Sequence, residues 1–486
     1  MKSKFRRNQR RRQASLKVEG QKLFKIDNDG GLLSAFGGLP IVARIAQDSQ
    51  LIQMASALIP EWRNVDAVQF SPTLLLFQRV LLAACGYPHQ LDCSFFRNDP
   101  ALLSALGCDV VSGQLPSQST HARLEENISS STIEALEAFP LKFFFSQFEH
   151  APRSLTLYFD GTAIRTFGAQ EKSTYRGGKK YSQTQYFPLI ATTDAGDLLL
   201  AQLREGGRSD AKSIEAILKL VRDMKTKWPH IQLTIVMDTG FNSPALISAL
   251  EKEKVLYAIG YPCTSSVKSK MKSLIESVKQ EFRKEHGEPK YMGKGGSKLW
   301  QAEHDRIRSL PTVERMEEEK KMNARHVRRV YQSEHDGKKW DKERPLIHRI
   351  DFTDKGLDVR CIVTNIRDGS AESIYDNYYC RRARVETFIK ENKSHCKVPL
   401  SCQSFTANQF RFSGIQTLTY MLLHLTRREL PESQQNISLN TVRKRLLLIT
   451  VRISVTPRTI GWHLSSSHPF SNHVIEMARK LHARTA

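Results

Sequence analysis

The cysteines of this chain show none of the spacings that build a zinc site or a disulfide scaffold. Eight cysteines are spread over 486 residues, and no two of them form a C-x-x-C pair. His395, Cys396 and Cys402 lie close together in sequence, but a second pair of ligands is missing, which argues against structural zinc. We therefore expect free thiols in a reducing compartment.

Signals for a membrane and for a nucleotide are also missing. No apolar run reaches the roughly 20 residues that span a bilayer, and no apolar segment of a secretion signal follows the charged start of the chain. The segment GKGGSK at 293–298 lacks the residue order of a phosphate-binding loop and is interpreted as a solvated turn. These absences predict a cytoplasmic protein with no membrane partner.

What the sequence has in excess is positive charge. Lys and Arg number 73 against 50 Asp and Glu, which gives a formal net charge of +23. This excess favours a polyanionic partner, with double-stranded DNA as the leading candidate, although a merely basic soluble protein is the alternative. Seven of the first twelve residues are Lys or Arg, so residues 1–20 are predicted to be a basic arm that is disordered until it contacts phosphates.

Residues 21–150 are predicted to be a helical, DNA-binding region. Thr73–Cys85 is expected to form an apolar helix that ends at Gly86, and a later helix carries His121 and Arg123. Successive short helices in a basic protein permit a helix-turn-helix arrangement, in which the later helix enters the major groove. A purely structural helical core is the alternative.

From residue 155 the pattern changes to short β-rich runs. Three runs in quick succession, of which Leu155–Asp160 is the first, precede an amphipathic helix over Asp210–Trp228. Buried strands are then predicted at Ile231–Asp238 and Val255–Gly260, with a helix between them. The order β-β-β-α-β-α-β is that of an RNase H-like mixed sheet, so residues 151–263 are predicted to be the first part of an α/β core.

The chain then becomes strongly charged with little apolar periodicity, which predicts an inserted subdomain over 264–350. A β-rich run at Asp358–Ile366 returns the chain to the core, and a long helix is predicted over Ser373–Cys396. We place the second part of the core at 351–430 and a C-terminal helical region at 431–486.

Two aspartates follow apolar strands directly. Asp160 in YFDGT and Asp238 in VMDTGF each precede small residues, which places both carboxylates at the edge of the sheet. Mg²⁺ prefers hard oxygen ligands and keeps several waters, so convergent carboxylates can hold it and leave room for a phosphodiester. A turn or helix cap is the alternative for either aspartate alone.

A third carboxylate lies on the predicted long helix. One line of this helix carries Tyr379, Arg382, Glu386 and Lys393. At roughly 100° per residue, their spacing keeps them within about 60° of arc. Arg and Lys neutralise phosphates and Tyr donates a hydrogen bond or stacks, so this face suits a DNA backbone, with Lys390 adding charge. A solvated face with ion pairs four residues apart is the alternative.

These four residues reproduce the Tyr-x2-Arg-x3-Glu-x6-Lys signature of a group of bacterial DDE transposases encoded by insertion sequences. Further motifs resemble insertion-sequence family thirteen-eighty: QRVLLAACGY with FFRNDPALLSAL, LPSQSTHARLEEN, MDTGF and ANQFR. The resemblance covers residues 60–430. It implies a protein associated with the bacterial nucleoid and an RNase H-like core with an insertion before the signature helix.

The resemblance also assigns roles. The positions that match the catalytic, metal-binding triad are Asp160, Asp238 and Glu386. The positions that match DNA-positioning residues are Tyr379, Arg382 and Lys393. The implied reaction is hydrolysis at the terminal inverted repeats with two Mg²⁺ or Mn²⁺ ions, followed by joining of the 3′-hydroxyls to target DNA, in a homodimer that pairs the ends.

Two other functions use the same residues: a metal-dependent nuclease without strand joining, and a DNA-binding protein with a vestigial catalytic fold.

The charged insertion contains an isolated Trp340 among lysines and arginines. We predict that Trp340 stacks on a DNA base near the cut, because a large aromatic face suits a base that has left the duplex. The alternative is a structural Trp that anchors a β-hairpin with Tyr331 and Ile347.

Overall fold

The computed structural model describes residues 14–64, 66, 68–177, 182–207, 213–293, 295–337 and 340–484. The first thirteen residues of the predicted basic arm lie outside these. The rest of the arm differs from a disordered tail. Strand β1 (Ala14–Leu16) pairs antiparallel with β2 (Phe24–Ile26), and the connection contains Gly20 at φ 74°.

A short strand and a series of helices follow. They are β3 (Leu32–Ser34), α1 (Leu39–Asp48), α2 (Leu51–Ser56), α3 (Pro72–Cys85), α4 (Asp92–Phe95), α5 (Pro100–Ala105), α6 (Gln118–Glu126) and α7 (Ser130–Ser146). Helix α3 begins where Ser71 Oγ accepts a hydrogen bond from Leu74 N at 3.2 Å. It ends at Gly86, whose φ of 96° favours glycine. The predicted apolar helix and its glycine stop are confirmed.

The central elements lead from the first strand of the main sheet to the insertion. They are β4 (Ser154–Gly161), β5 (Ile164–Arg165), β6 (Thr174–Arg176), β7 (Gln183–Tyr186), β8 (Leu189–Thr193), β9 (Leu198–Gln202), α8 (Ile214–Lys227), β10 (Gln232–Met237), α9 (Pro244–Lys252) and β11 (Leu256–Tyr261). The strands β5, β7 and β6 pair in a small sheet of their own.

The insertion and the C-terminal elements complete the chain. They are α10 (Ser265–Lys270), α11 (Lys272–His286), α12 (Gly296–Ser309), α13 (Thr312–Ala324), β12 (His326–His335), β13 (Arg344–Thr353), β14 (Gly356–Thr364), α14 (Ala371–Ile374), α15 (Arg382–Ser394), α16 (Phe405–Gln409), α17 (Thr417–Arg428), α18 (Leu439–Val442), β15 (Val451–Val455), β16 (Ile460–Leu464) and α19 (Ser471–Ala483). No described helix combines the length and the apolar character needed to cross a bilayer.

The largest sheet among the described residues has the strand order β12-β13-β14-β11-β10-β4-β8-β9. Strands β10 and β11 run parallel to β4, whereas β8 pairs antiparallel with β4 and β14 antiparallel with β11. The predicted mixed α/β architecture is confirmed. The charged insertion forms part of this sheet, because its hairpin β12–β13 supplies two of the strands.

Each face of the sheet is covered by helices. Leu157 and Phe159 of β4 lie in the core that α8 and α9 cover, and Tyr158 lies in the core that α15 and α17 cover. In the insertion, α11 packs Val278 and Phe282 against the hairpin, which explains why a highly charged segment folds onto the sheet.

The N-terminal helices do not form a separate core. Leu82 of α3 and Leu422 of α17 belong to one continuous hydrophobic cluster. A buried ion pair also joins α6 to the segment after α16, since Arg411 Nη2 lies 2.7 Å from Glu125 Oε2. The C-terminal region also differs from the purely helical expectation, because β15 and β16 pair with β3 in a small sheet.

The predicted long helix over Ser373–Cys396 is broken into three parts. Helix α14 passes into a π-helical turn at Tyr375–Tyr379, and α15 starts only at Arg382. A π-turn contains more residues than an α-turn, so the regular 100° spacing does not apply between Tyr379 and Arg382. Such turns are frequent at functional sites.

Candidate active site

Asp160 and Asp238 lie at the same level on two neighbouring strands. Asp160 is the last residue but one of β4, and Asp238 directly follows β10. The two strands are parallel and pair Phe159 with Met237, so each aspartate is the next residue after this pair. Adjacent strands are about 4.8 Å apart, which brings both carboxylates to one edge of the sheet.

The backbone after β10 holds the Asp238 carboxylate in place. Its Oδ1 accepts a hydrogen bond from Gly240 N at 2.8 Å and so caps the 3₁₀ turn Thr239–Phe241. Its Oδ2 lies 4.0 Å from Arg382 Nη2. The helix cap, which is the alternative role for this aspartate, is therefore present. It uses Oδ1 and leaves Oδ2 directed to α15, the helix that carries Arg382 and Glu386.

Arg382 brings the second and third carboxylates together. Its Nη2 lies 2.8 Å from Glu386 Oε1, one helical turn further along α15, and 4.0 Å from Asp238 Oδ2. The Arg382 side chain is 20% exposed and that of Glu386 is 53% exposed. Val385 and Ile389 are buried on the neighbouring face of α15, so Arg382 and Glu386 lie at the edge of the packed face.

Lys393 lies beside the first carboxylate. It is half-buried on α15, and its Nζ donates a hydrogen bond to Thr162 Oγ1, two residues after Asp160. Burial lowers the pKa of Lys393, and the charge of Asp160 opposes that shift. The structure therefore brings Asp160 and Lys393 together at one end of α15 and Asp238, Arg382 and Glu386 at the other.

Tyr379 reaches the same sheet edge from the π-helical turn. A Cβ atom added at Gly260 of β11 would lie 2.8 Å from the Tyr379 hydroxyl oxygen, so this close approach requires glycine. Burial raises the pKa of Tyr379, and the charge of Arg382 opposes the shift. All residues of the predicted triad and signature thus lie between the sheet edge and one helix.

The donor set suits a hard divalent cation, since carboxylate oxygens are the ligands that Mg²⁺ and Mn²⁺ prefer. Among the described residues no three such side chains converge in a ready metal site. Instead, the cationic guanidinium of Arg382 lies between two of the carboxylates. A cation bound by both Asp238 and Glu386 requires Arg382 to move.

Two residues of the site are missing from the sequence prediction. Thr162 follows the first strand and bonds Lys393, and Gly260 receives Tyr379. A glycine inside a buried apolar strand indicates a close approach by another group, so Gly260 carried a usable signal. Thr162 carried none, because its partner is far away in sequence.

The remaining predicted DNA contacts are Lys390, Arg123 and Trp340. Lys390 and Arg123 are exposed on α15 and α6. His121 of the same α6 is buried and lies 2.9 Å from Gln78 Oε1, so it belongs to the core and not to a groove-reading face. Trp340 packs edge-on against Tyr261, with ring centroids 5.4 Å apart.

Comparisons with known proteins place the chain in a family. The family model Transposase DDE domain group 1 matches residues 16–485. The chain belongs to this family. It is a DDE transposase, an enzyme of transposition and DNA recombination.

Solved structures give weaker similarities. A piggyBac transposase synaptic complex with hairpin DNA is 10% identical at a TM-score of 0.40, over 85% of this chain and 79% of that one. The Mos1 mariner paired-end complex with Mn is 11% identical at a TM-score of 0.16, over 41% of this chain and 61% of that one. No curated protein matches the sequence.

Proposed function

We propose that this chain is the transposase of a bacterial insertion sequence that resembles family thirteen-eighty. It binds the terminal inverted repeats, cleaves phosphodiester bonds at the element ends and joins the 3′-hydroxyls to target DNA. The observation that carries this proposal is the placement of Asp160, Asp238 and Glu386 against one edge of a mixed, RNase H-like sheet.

The triad residues Asp160, Asp238 and Glu386 would hold two Mg²⁺ or Mn²⁺ ions. These ions supply activation of the attacking oxygen and stabilisation of the leaving oxygen. Around them the chain positions the DNA backbone: Lys393 is held at the Asp160 end of α15 by Thr162, and Tyr379 is held over Gly260. Exposed Lys390 and the net charge of +23 add affinity for phosphates.

Recognition of the inverted repeats is assigned to the helical region 21–150, with Arg123 as its exposed contact. These helices share a hydrophobic core with α15. DNA bound to them would therefore be held in a fixed position relative to the three carboxylates. The charged insertion over 264–350 is assigned to DNA flanking the cut.

A homodimer is the second part of the proposal, because two element ends have to be joined together. The ribbon β1–β2 supports it. Its cross-strand pairs Ala14–Ile26 and Leu16–Phe24 share one face, since paired positions two apart lie on the same side. Leu16, Phe24 and Ile26 are each about half exposed, and a two-stranded ribbon is marginally stable alone. A second copy of the chain would bury this face.

The decisive experiment mixes the full chain and Mg²⁺ with duplexes of the element ends and a target plasmid. Joined products are expected from the wild type, and none from Asp160→Ala, Asp238→Ala or Glu386→Ala, each of which should still bind end DNA. Glu372→Ala, an exposed glutamate of α14, is the matched control. Normal cleavage by Asp238→Ala would contradict the triad.

Two outcomes favour the alternatives. Cleavage without joined products indicates a nuclease, and binding without cleavage by the wild type indicates a vestigial enzyme. The dimer is tested by light scattering of the chain with end DNA: Phe24→Asp should give monomers, whereas Lys25→Asp, on the polar face of the ribbon, should not. Dimers of Phe24→Asp would exclude the ribbon as the contact.

A further inference from the structure

One cationic side chain occupies the space between two of the catalytic carboxylates. The Arg382 guanidinium contacts Glu386 directly at 2.8 Å and approaches Asp238 to 4.0 Å. The Arg382 side chain is 20% exposed and that of Glu386 is 53% exposed, so water screens this pair in part. Arg382 therefore acts as an internal counter-ion for a pair of carboxylates that would otherwise repel each other.

The hydrogen bonding of Arg382 is incomplete. Its Nε is buried and has no hydrogen-bond partner among the described residues. Nη2 contacts a carboxylate on the same helix at a spacing of four residues, and such pairs contribute only about 0.3–0.5 kcal/mol. A phosphate can accept two parallel bonds from one guanidinium, which is a stronger arrangement than a single contact. A DNA backbone at this helix face therefore competes well for Arg382.

A divalent cation and this guanidinium exclude each other at Asp238 and Glu386. Both are positive, and both need the same carboxylate oxygens. Each ligand that draws Arg382 away from Glu386 consequently favours cation binding. Since binding energies are linked reciprocally, a bound cation must favour the DNA-bound position of Arg382 to the same extent.

We propose that Arg382 couples DNA binding to metal binding. In the free enzyme Arg382 neutralises Asp238 and Glu386 and weakens their affinity for a divalent cation. A phosphate of the element end takes over the guanidinium, and the two carboxylates become available as ligands. This coupling rests on the proposed function. It would keep the enzyme without bound metal, and therefore inactive, until DNA is bound.

The test measures Mn²⁺ binding by electron paramagnetic resonance, with the full chain alone and with saturating end duplex, and with the duplex alone as blank. The wild type should bind Mn²⁺ about tenfold or more tightly with DNA, within the usual range of such couplings. Arg382→Gln should bind Mn²⁺ more tightly than the wild type without DNA, and DNA should then add little.

Arg381→Gln is the matched control, because it removes an exposed charge from the residue before Arg382 and leaves the Arg382 contacts intact. It should retain the full effect of DNA at saturation. Equal Mn²⁺ affinity of the wild type with and without DNA would overturn the proposal. Arg382→Gln with wild-type affinity in the absence of DNA would overturn it as well.

Failure of the site can be distinguished from failure of the coupling. Asp238→Asn and Glu386→Gln should each weaken Mn²⁺ binding to the DNA complex. If neither does, the metal site itself is misassigned and the proposed function loses its basis. If both do while Arg382→Gln behaves as the wild type, the metal site stands and the coupling through Arg382 is wrong.

Discussion

Arg427 Nη1 of α17 lies 2.9 Å from Glu391 Oε2 of α15, and both side chains are buried. The other carboxylate oxygen of Glu391 accepts a hydrogen bond from Leu439 N at 2.9 Å, at the start of α18. Glu391 is only five residues beyond Glu386 on α15. These contacts join α15 to α17 and α18, so we expect Glu391 and Arg427 to set the position of Glu386.

Replacing Glu391 with Ala should destabilise the protein strongly. It leaves the buried Arg427 without its partner, and breaking one side of a buried ion pair costs about 3–5 kcal/mol. Urea unfolding measures the loss. Glu386→Ala, at an exposed position of the same helix, should abolish cleavage with little change in the unfolding midpoint.

The conservative variant separates positioning from stability alone. Glu391→Gln keeps the length of the side chain and an acceptor for Leu439 N, so it should recover most of the stability. Its cleavage rate should remain reduced at saturating DNA with unchanged affinity for the ends. A Glu391→Ala protein as stable as the wild type would show that α15 is held by other contacts.

Stability should also depend on pH through Glu137 of α7. Burial raises the pKa of Glu137 to about 7 from 4.5, and hydrogen bonds from Gln202 and Gln409 only partly oppose the shift. Between these two values the folded state binds more protons than the unfolded state, so stability falls as pH rises from 4.5 to 7.

Glu137→Gln should remove this dependence. Near pH 4.5 the variant and the wild type should be similarly stable, and near pH 8 the variant should be more stable by about 3 kcal/mol, which is the linkage expected for this shift. Unfolding in urea at several pH values provides the measurement. Parallel pH profiles of the two proteins would show that the pKa of Glu137 is the same in the folded and the unfolded protein.

Local patterns in the sequence predicted the parts of the site that depend on local structure. Asp160 and Asp238 could be identified because each ends an apolar strand. The pairing of Phe159 with Met237, which sets the two aspartates side by side, joins strands far apart in sequence and left no local signal. The face shared by Arg382 and Glu386 followed from helical spacing, whereas the π-turn before Arg382 changed the relation to Tyr379.

The N-terminal region shows why domain boundaries were harder to predict. The apolar sequence of a helix such as α3 shows that the helix is buried. It does not show which other element covers it. Here α3, which carries Leu82, packs against α17, which carries Leu422, more than half the chain away. Strand β15 did carry a signal, since buried Val451 and Ile453 alternate with polar residues.

A fragment of residues 1–140 should therefore fail to fold on its own. It would expose the apolar faces of α1 and α3 that pack against α17. Circular dichroism should show no cooperative melting, and co-expression with residues 141–486 should restore a folded complex. A cooperatively melting fragment that footprints the inverted repeat would instead establish 21–150 as an independent DNA-binding domain.

Trp340 packs against two other aromatic rings. Its ring lies 5.4 Å from that of Tyr261 and 5.6 Å from that of His335, both edge-on, and Arg344 lies over it at 5.4 Å. Tyr261 is partly buried against the core that contains Leu246 and Ile247 of α9, on the sheet face opposite to the one that Gly260 presents to Tyr379. This packing favours a structural role over stacking on DNA, with Tyr261 and His335 as the ring's partners in place of the expected Tyr331 and Ile347.

Trp340→Ala should lower the free energy of unfolding by about 1–3 kcal/mol, as the loss of a half-buried aromatic side chain does. End cleavage and joining should stay near wild-type rates below the melting temperature. Gly337→Ala gives an independent test, because a Cβ atom there would lie 2.7 Å from the Trp340 ring and should destabilise the same turn. The opposite result, slowed joining by Trp340→Ala with unchanged melting, would show that the ring contacts DNA, since a packing role cannot affect joining without affecting stability.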